Sequence, residues 1–398
     1  MVTVYPLVVY PNSLNNYFYL PKYLVLAVVS LFSLYVLLRE KGNVKHPAFI
    51  PLSIFLLCVL VSAILASDTY VAFIGTYRFT GFTTYLFCFI LFTVAFQVKS
   101  KEKVLVYMIS CAAIISIITV LQYFDINIVP HESFRGIYHR EGYGTMANPN
   151  FLGTYVAFIL PGATIFYLQY KKLYWLLCSA LIYAGLLVCL TRGAWLAAFI
   201  SFLFIVIYSL RITNWKRNLV WIILVFIVVT GTLLPTKDGL IYKRALSIPQ
   251  EMDSAIQLED KAGTKRMLIW KESFNLLPQY WVFGMGPDHL RYAEIMTNEK
   301  SIVDKAHNIY LEIAVTMGIP ALIAYLIFLS YFFRQCRDTT EYIFLMMIVT
   351  YLIQGFFNID VVMVLPLFWI ILGLSLNNLR DGLTGYYNTC RFEGKINV

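Results

Sequence analysis

Charge is scarce in this chain. Asp, Glu, Lys and Arg make up 13% of its 398 residues, where a soluble domain carries about 25%. Apolar residues reach 60%, more than a soluble fold of this length can hide, whereas lipid can take them. A cleavable signal peptide is missing too: the first twenty residues lack a basic start and a small-residue cleavage site. The seven cysteines contain no CxxC pair. Cys58, Cys88, Cys111, Cys178 and Cys189 fall inside apolar runs, as small apolar fillers do, so no disulfide framework is read. There is no HxxxH or HExxH, and a zinc site is not supported. No GxGxxG occurs; Gly284-Met285-Gly286 follows no clear strand and is not read as a nucleotide site. Transporter-type internal repeats and low-complexity segments are also absent.

What is present is a series of long apolar runs, at 22–38, 48–66, 82–98, 104–124, 150–169, 173–190, 194–210, 218–234, 307–333, 341–357 and 360–377. A spanning helix needs about 20 apolar residues, so the sequence predicts an all-α integral membrane protein with about eleven transmembrane helices. Residues 173–210 are too long for one helix and are divided at Thr191-Arg192-Gly193, where glycine permits a turn and arginine suits an interface. The net charge of +9 does not point to nucleic acid, because the basic residues sit in short loops between apolar runs, the positive-inside pattern. One set of loops holds Arg39, Lys41 and Lys45; Lys99, Lys101 and Lys103; Lys171 and Lys172; Arg211, Lys216 and Arg217; Arg334 and Arg337; and Arg380, Arg391 and Lys395. The alternate short loops hold only Arg78, Arg135 with Arg140, and Arg192. The first set is therefore predicted cytoplasmic, with the C-terminus inside and the N-terminus outside. The expected organisation is an N-terminal transmembrane bundle (1–234), one large external loop (235–306), C-terminal transmembrane helices (307–377) and a cytoplasmic tail (378–398).

The large loop is nearly neutral, with ten basic and ten acidic residues, which does not suit a lipid-headgroup clamp. Within it Met267, Trp270, Phe274 and Leu277 recur at helical spacing and predict an amphipathic helix on the membrane or against the bundle, ending near Pro278. Gly284-Met285-Gly286-Pro287 then forces a turn. Arg192 is the only charge between Lys172 and Arg211. It reads either as an anion contact at the mouth of the bundle or as a snorkelling arginine that ends a helix. Arg266, beside Lys265, could pair bidentately with phosphate oxygens or be a plain surface arginine. His307, followed by Asn308, Tyr310 and Glu312, stands where the chain re-enters the bundle, as a general base or as a polar helix start. Asn148 and Asn150 open another span, where asparagine is usually a cap.

Taken in order, several segments resemble the O-antigen ligase and polymerase superfamily of polytopic membrane glycosyltransferases. They are Asn148-Pro149-Asn150-Phe151-Leu152-Gly153, Thr191-Arg192-Gly193-Ala194-Trp195-Leu196, Arg266 with Trp270, Phe283-Gly284-Met285-Gly286-Pro287, and His307-Asn308-Ile309-Tyr310-Leu311-Glu312 with Gly318-Ile319-Pro320 behind it. The resemblance covers about 145–330. The family usually has one span more, and Tyr5-Pro6 through Pro21-Lys22 reads as the exit from such an earlier helix. The resemblance implies a GT-C-like fold in the cytoplasmic membrane and a donor glycan carried on undecaprenyl diphosphate. The acceptor would be a glycan, lipid or protein on the outer face. It implies neither a metal nor another cofactor, and no nucleic-acid partner. It also implies that Arg192 and Arg266 hold the diphosphate and that His307 assists the acceptor hydroxyl. Asn148, Asn150, Trp270, Gly284, Gly286, Asn308 and Tyr310 would line the substrate. Polymerase, ligase and glycan–protein ligase share these motifs. A transporter or flippase for the lipid-linked glycan is disfavoured, because the spans carry almost no internal charge and no repeat.

Overall fold

The computed structural model describes residues 1–10, 17–40, 45–129, 141–260, 262–295, 302–333 and 339–376. Lys41, Arg135, Arg140, Arg334, Arg337, Arg380, Arg391, Lys395 and the tail 378–398 lie outside the described residues. The regular elements are helices: α1 (Val4–Leu7), α2 (Tyr19–Arg39), α3 (Phe49–Leu65), α4 (Thr69–Ile74), α5 (Phe82–Ala95), α6 (Lys101–Tyr123), α7 (Pro149–Tyr170), α8 (Leu173–Val188) and α9 (Arg192–Leu210). They continue with α10 (Lys216–Leu233), α11 (Thr236–Ile256), α12 (Ala262–Tyr280), α13 (Ile309–Met317), α14 (Ile319–Ser330), α15 (Thr339–Gly355) and α16 (Leu365–Leu376). Each apolar run but 307–333 holds one helix. Of these, α2, α6, α7, α9 and α10 are long and apolar enough to cross a membrane by length and composition, and α3, α5, α8, α14 and α16 are shorter apolar helices.

The bundle is apolar outside as well as inside. α9 turns Leu196, Phe199, Leu203, Ile207 and Leu210 outward, and α10 exposes Val220, Leu224, Ile227 and Val228. Such stripes at helical spacing belong in lipid, where each helix satisfies its own backbone. α7 is the axial helix, buried from Phe151 to Leu168. Small residues let its surroundings close up: a Cβ at Gly185 of α8 would lie 2.7 Å from Ser116 Oγ of α6. Ser201 of α9 and Thr350 of α15 share a 2.6 Å hydrogen bond. Charge is scarce in the bundle but not wholly excluded. Lys22 of α2 is fully buried and donates to the Val8 carbonyl at 2.6 Å and the Thr145 carbonyl at 2.9 Å.

Alternate connections gather at one end of the bundle. There the loop after α4 meets residue 288, Asp125 meets Lys237, and Asn358 donates to the Asn150 carbonyl at 3.1 Å. At the opposite end Tyr170 bonds Glu102, and Asn218 bonds the Leu168 carbonyl. The large loop sits on the first end. It contains two helices, α11 and α12, where one was expected. α12 runs past Pro278 to Tyr280. It packs through Ile269, Leu276 and Leu277, and Phe274 is exposed.

The run 307–333 is not one span. Gly318, at φ +94°, separates α13 from α14. A strap, residues 281–287, fills the break: Ile319 N–H donates to the Trp281 carbonyl at 2.7 Å, Met285 N–H to Val315 at 3.0 Å and Gly286 N–H to Thr316 at 2.9 Å. These bonds satisfy backbone groups that a broken helix leaves open. Contact is so close that a Cβ at Gly318 would strike the Val282 carbonyl, and one at Gly284 would strike the Thr316 carbonyl. Gly318→Ala should therefore cost about 1–3 kcal/mol, read as a lower thermal unfolding midpoint in detergent. Gly231→Ala on α10, with open space around its Cβ, should not lower it.

Candidate functional site

Arg192 begins α9, and the turn before it is formed differently from expectation. Leu190, not glycine, takes the left-handed conformation, at φ +55°. Gly193 is needed for space, since its Cβ would meet Phe357 Cβ at 2.9 Å. Thr191 Oγ1 anchors the turn by donating to the Pro149 carbonyl at 3.1 Å. From here Arg192 Nη1 donates to Ser247 Oγ at 3.0 Å and to Glu251 Oε1 at 2.8 Å, both on α11. The other Glu251 oxygen accepts the Gly263 N–H at 2.6 Å, in an irregular first turn of α12 where Gly263 and Lys265 both have positive φ. Arg244 Nε donates to the Leu190 carbonyl at 2.9 Å.

Arg266, half-buried on α12, joins this group. Burial, and then the charges of Arg192 and Arg244, lower its pKa to about 10, with Glu251 opposing. The Arg244 pKa is also lowered, first by burial and then by Arg192, with Glu141 and Glu251 opposing. Three guanidiniums from α9, α11 and α12 thus lie within electrostatic reach of one another and share Glu251.

His307 lies within electrostatic reach of Arg266, in the left-handed conformation at φ +53° just before α13. Its pKa is lowered to about 4, first by burial, then by Arg266 and Arg78, with Asp304 opposing. Its Nδ1 is buried and has no hydrogen-bond partner among the described residues. The segment that carries it is fixed by buried ions. Lys305 Nζ contacts Asp288 Oδ1 at 2.7 Å, Glu312 Oε1 at 3.0 Å and Thr80 Oγ1 at 2.9 Å. Burial alone would lower the Lys305 pKa, but the two carboxylates outweigh it and raise it. The Asp288 pKa is lowered although burial opposes this, because Lys305 and the Thr76 donors favour its charge. Glu312 Oε2 accepts the Ala306 N–H at 2.7 Å. Arg78, from the loop after α4, pairs with Asp304 at 3.1 Å, and its charge reaches His307.

Charge links Arg192 to Arg266 and Arg266 to His307. The other candidates have structural occupations. Asn148 Oδ1 caps α7 by accepting the Asn150 N–H, and Asn308 Oδ1 caps α13 by accepting from Tyr310 and Leu311. Tyr310 OH donates to the Leu352 carbonyl at 2.8 Å and its ring lies against Phe356. Gly284 and Gly286 belong to the strap, and the backbone N–H of Gly286 is engaged there with Thr316. Trp270 is half-buried, one turn beyond Arg266, with its Nε1 buried and unpartnered among the described residues. Arg244, Glu251 and Arg78 were not singled out as site residues from sequence. Arg244, Ser247 and Glu251 follow at spacings of three and four on α11, a polar stripe that could have revealed the first two. Nothing local marks Arg78.

Residues 153–326 match the family model described as O-antigen ligase. That match supports the resemblance to the O-antigen ligase and polymerase superfamily. The match contains Arg192, Arg244, Glu251, Arg266 and His307; Arg78, Asn148 and Asn150 precede it. A search of curated proteins finds no match. The fold and the O-antigen ligase domain together make this a multi-pass membrane glycan transferase of ligase or polymerase type.

The buried triad carries a stability prediction. Lys305→Met leaves two buried carboxylates without their cation, a loss of about 3–5 kcal/mol. Yield of folded protein by detergent size exclusion should fall sharply. Adding Asp288→Asn and Glu312→Gln, which remove the stranded charge, should recover part of it.

Proposed function

We propose that this protein transfers a glycan from undecaprenyl diphosphate to an acceptor hydroxyl at the outer face of the cytoplasmic membrane. The observation that carries this reading is the convergence of Arg192, Arg244 and Arg266 beside a histidine with a free ring nitrogen. The charge bias of the loops supports an external site, because the basic connections flank the opposite end of the bundle.

The chemistry follows from charge. The acceptor oxygen attacks the anomeric carbon, and a new C–O bond forms. The bond from that carbon to the diphosphate oxygen breaks, and undecaprenyl diphosphate leaves with the electron pair. The arginines meet the growing charge on the leaving group with fixed, bidentate donors. The acceptor proton passes to His307. In the resting site His307 is neutral, so a lone pair is available, but a base with a pKa near 4 is weak. A bound diphosphate offsets Arg266, one of the charges that hold that pKa down, and so strengthens the base when the donor is in place. The acceptor is a second lipid-linked glycan in a polymerase, or a lipid core, wall polymer or protein in a ligase.

Purified protein in detergent, supplied with lipid-linked glycan extracted from its host, should form product; a transporter would not. His307→Ala should slow transfer by about 10²–10⁴ while donor binding stays near wild type. Arg192→Ala should weaken donor binding. If both variants transfer glycan at the wild-type rate, these roles are wrong.

The pH profile of kcat/KM reports groups of the free enzyme. Its acid limb should lie near pH 4, where His307 becomes protonated in the resting site. Arg266→Gln removes a positive charge that disfavours the imidazolium, so the His307 pKa rises and the limb moves to higher pH.

A further inference from the structure

Glu251 occupies a place that calls for explanation. Its two carboxylate oxygens are held separately, Oε1 by Arg192 at 2.8 Å and Oε2 by the Gly263 N–H at 2.6 Å. Arg244 and Arg266 both feel its charge. Arg192 and Arg244 both disfavour the charge of Arg266, and Arg192 that of Arg244, while Glu251 favours both. The backbone at Gly263 and Lys265 is bent into positive φ where it meets Glu251, a strained conformation for lysine. An oxyanion fixed by one guanidinium and one backbone N–H is the arrangement by which proteins hold phosphate.

We propose that Glu251 is a displaceable counter-ion, which holds the position of a phosphate group in the resting site and yields Arg192 and the Gly263 N–H to a polyprenyl diphosphate. This rests on the diphosphate-binding reading above and deepens it. A diphosphate brings more charge and more acceptor oxygens than one carboxylate, so it can engage Arg192, Arg244 and Arg266 together. Arg244 thereby becomes a third donor-binding residue. The exchange also aids turnover. The released undecaprenyl diphosphate has one more ionisable oxygen than the donor and would otherwise be held more tightly; a returning Glu251 competes with it for Arg192.

The test uses full-length protein in detergent and farnesyl diphosphate as probe, with affinity measured by calorimetry. Arg192→Ala and Arg244→Ala should weaken binding. Glu251→Gln should tighten it by about three- to tenfold, because a neutral amide competes less well for Arg192. Glu272→Gln, exposed on α12, should leave it unchanged. In the wild type, the probe should speed hydrogen exchange over 247–256, as α11 loses its tie to Arg192. If Arg192→Ala weakens binding but Glu251→Gln does not tighten it, the counter-ion role is overturned and the diphosphate site stands. Slower exchange over 247–256 on adding the probe overturns it equally, even if the glutamine variant does not fold. If Arg192→Ala and Arg244→Ala bind as wild type does, both readings fall.

Discussion

The site depends on a lysine buried where a lysine should not be comfortable. Lys305 is almost free of solvent contact, yet Asp288 and Glu312 hold it charged. Three separate segments meet on this one ammonium group: the strap after α12, the loop after α4 through Thr80, and α13 through Glu312. Removing two ions and their cation from water is costly, and only near-complete hydrogen bonding offsets it. Here the second oxygens of both carboxylates are also used, by Thr76 and by the Ala306 N–H. The result is a rigid mount two residues from His307.

Rigidity matters because the histidine is poised by its surroundings. Arg266 and Arg78 both disfavour its protonation. Its strained backbone can persist only because its neighbours are fixed on either side, by Lys305 and Ala306 before it and the Asn308 cap after it. The arginine cluster is a different kind of object. Its members come from three helices and are held together by carboxylates against their own repulsion. Such a cluster has a standing preference for an anion, whatever sits in it at rest.

Around this, the bundle is ordered by lipid. α7 is buried throughout while α9 and α10 turn aliphatic and aromatic side chains outward. The end of the bundle that carries α11 and α12 also carries the arginine cluster and His307. The broken helix at Gly318 serves the same end, since it lets the strap reach between α13 and α14 and brings residues 284–288 under the site.

The sequence by itself determined that the chain is helical and lipid-embedded, where its helices fall, and which connections share an end. These follow from hydropathy and from the period of the chain, which are local properties. It also marked Arg192, Arg266 and His307, because an arginine alone in an apolar stretch and a histidine at a bundle entrance are conspicuous one at a time. Only the tertiary structure decided what they do to one another. Arg244 and Glu251 looked like ordinary members of a neutral loop until folding laid α11 over the mouth of α9. Arg78 looked like a stray loop charge until Asp304 drew it to His307. Gly284 and Gly286 marked only a turn until the strap brought them against Thr316. Pair interactions across more than a hundred residues leave no periodic trace in a sequence, so charge coupling and close backbone approach appear only when the elements are brought together.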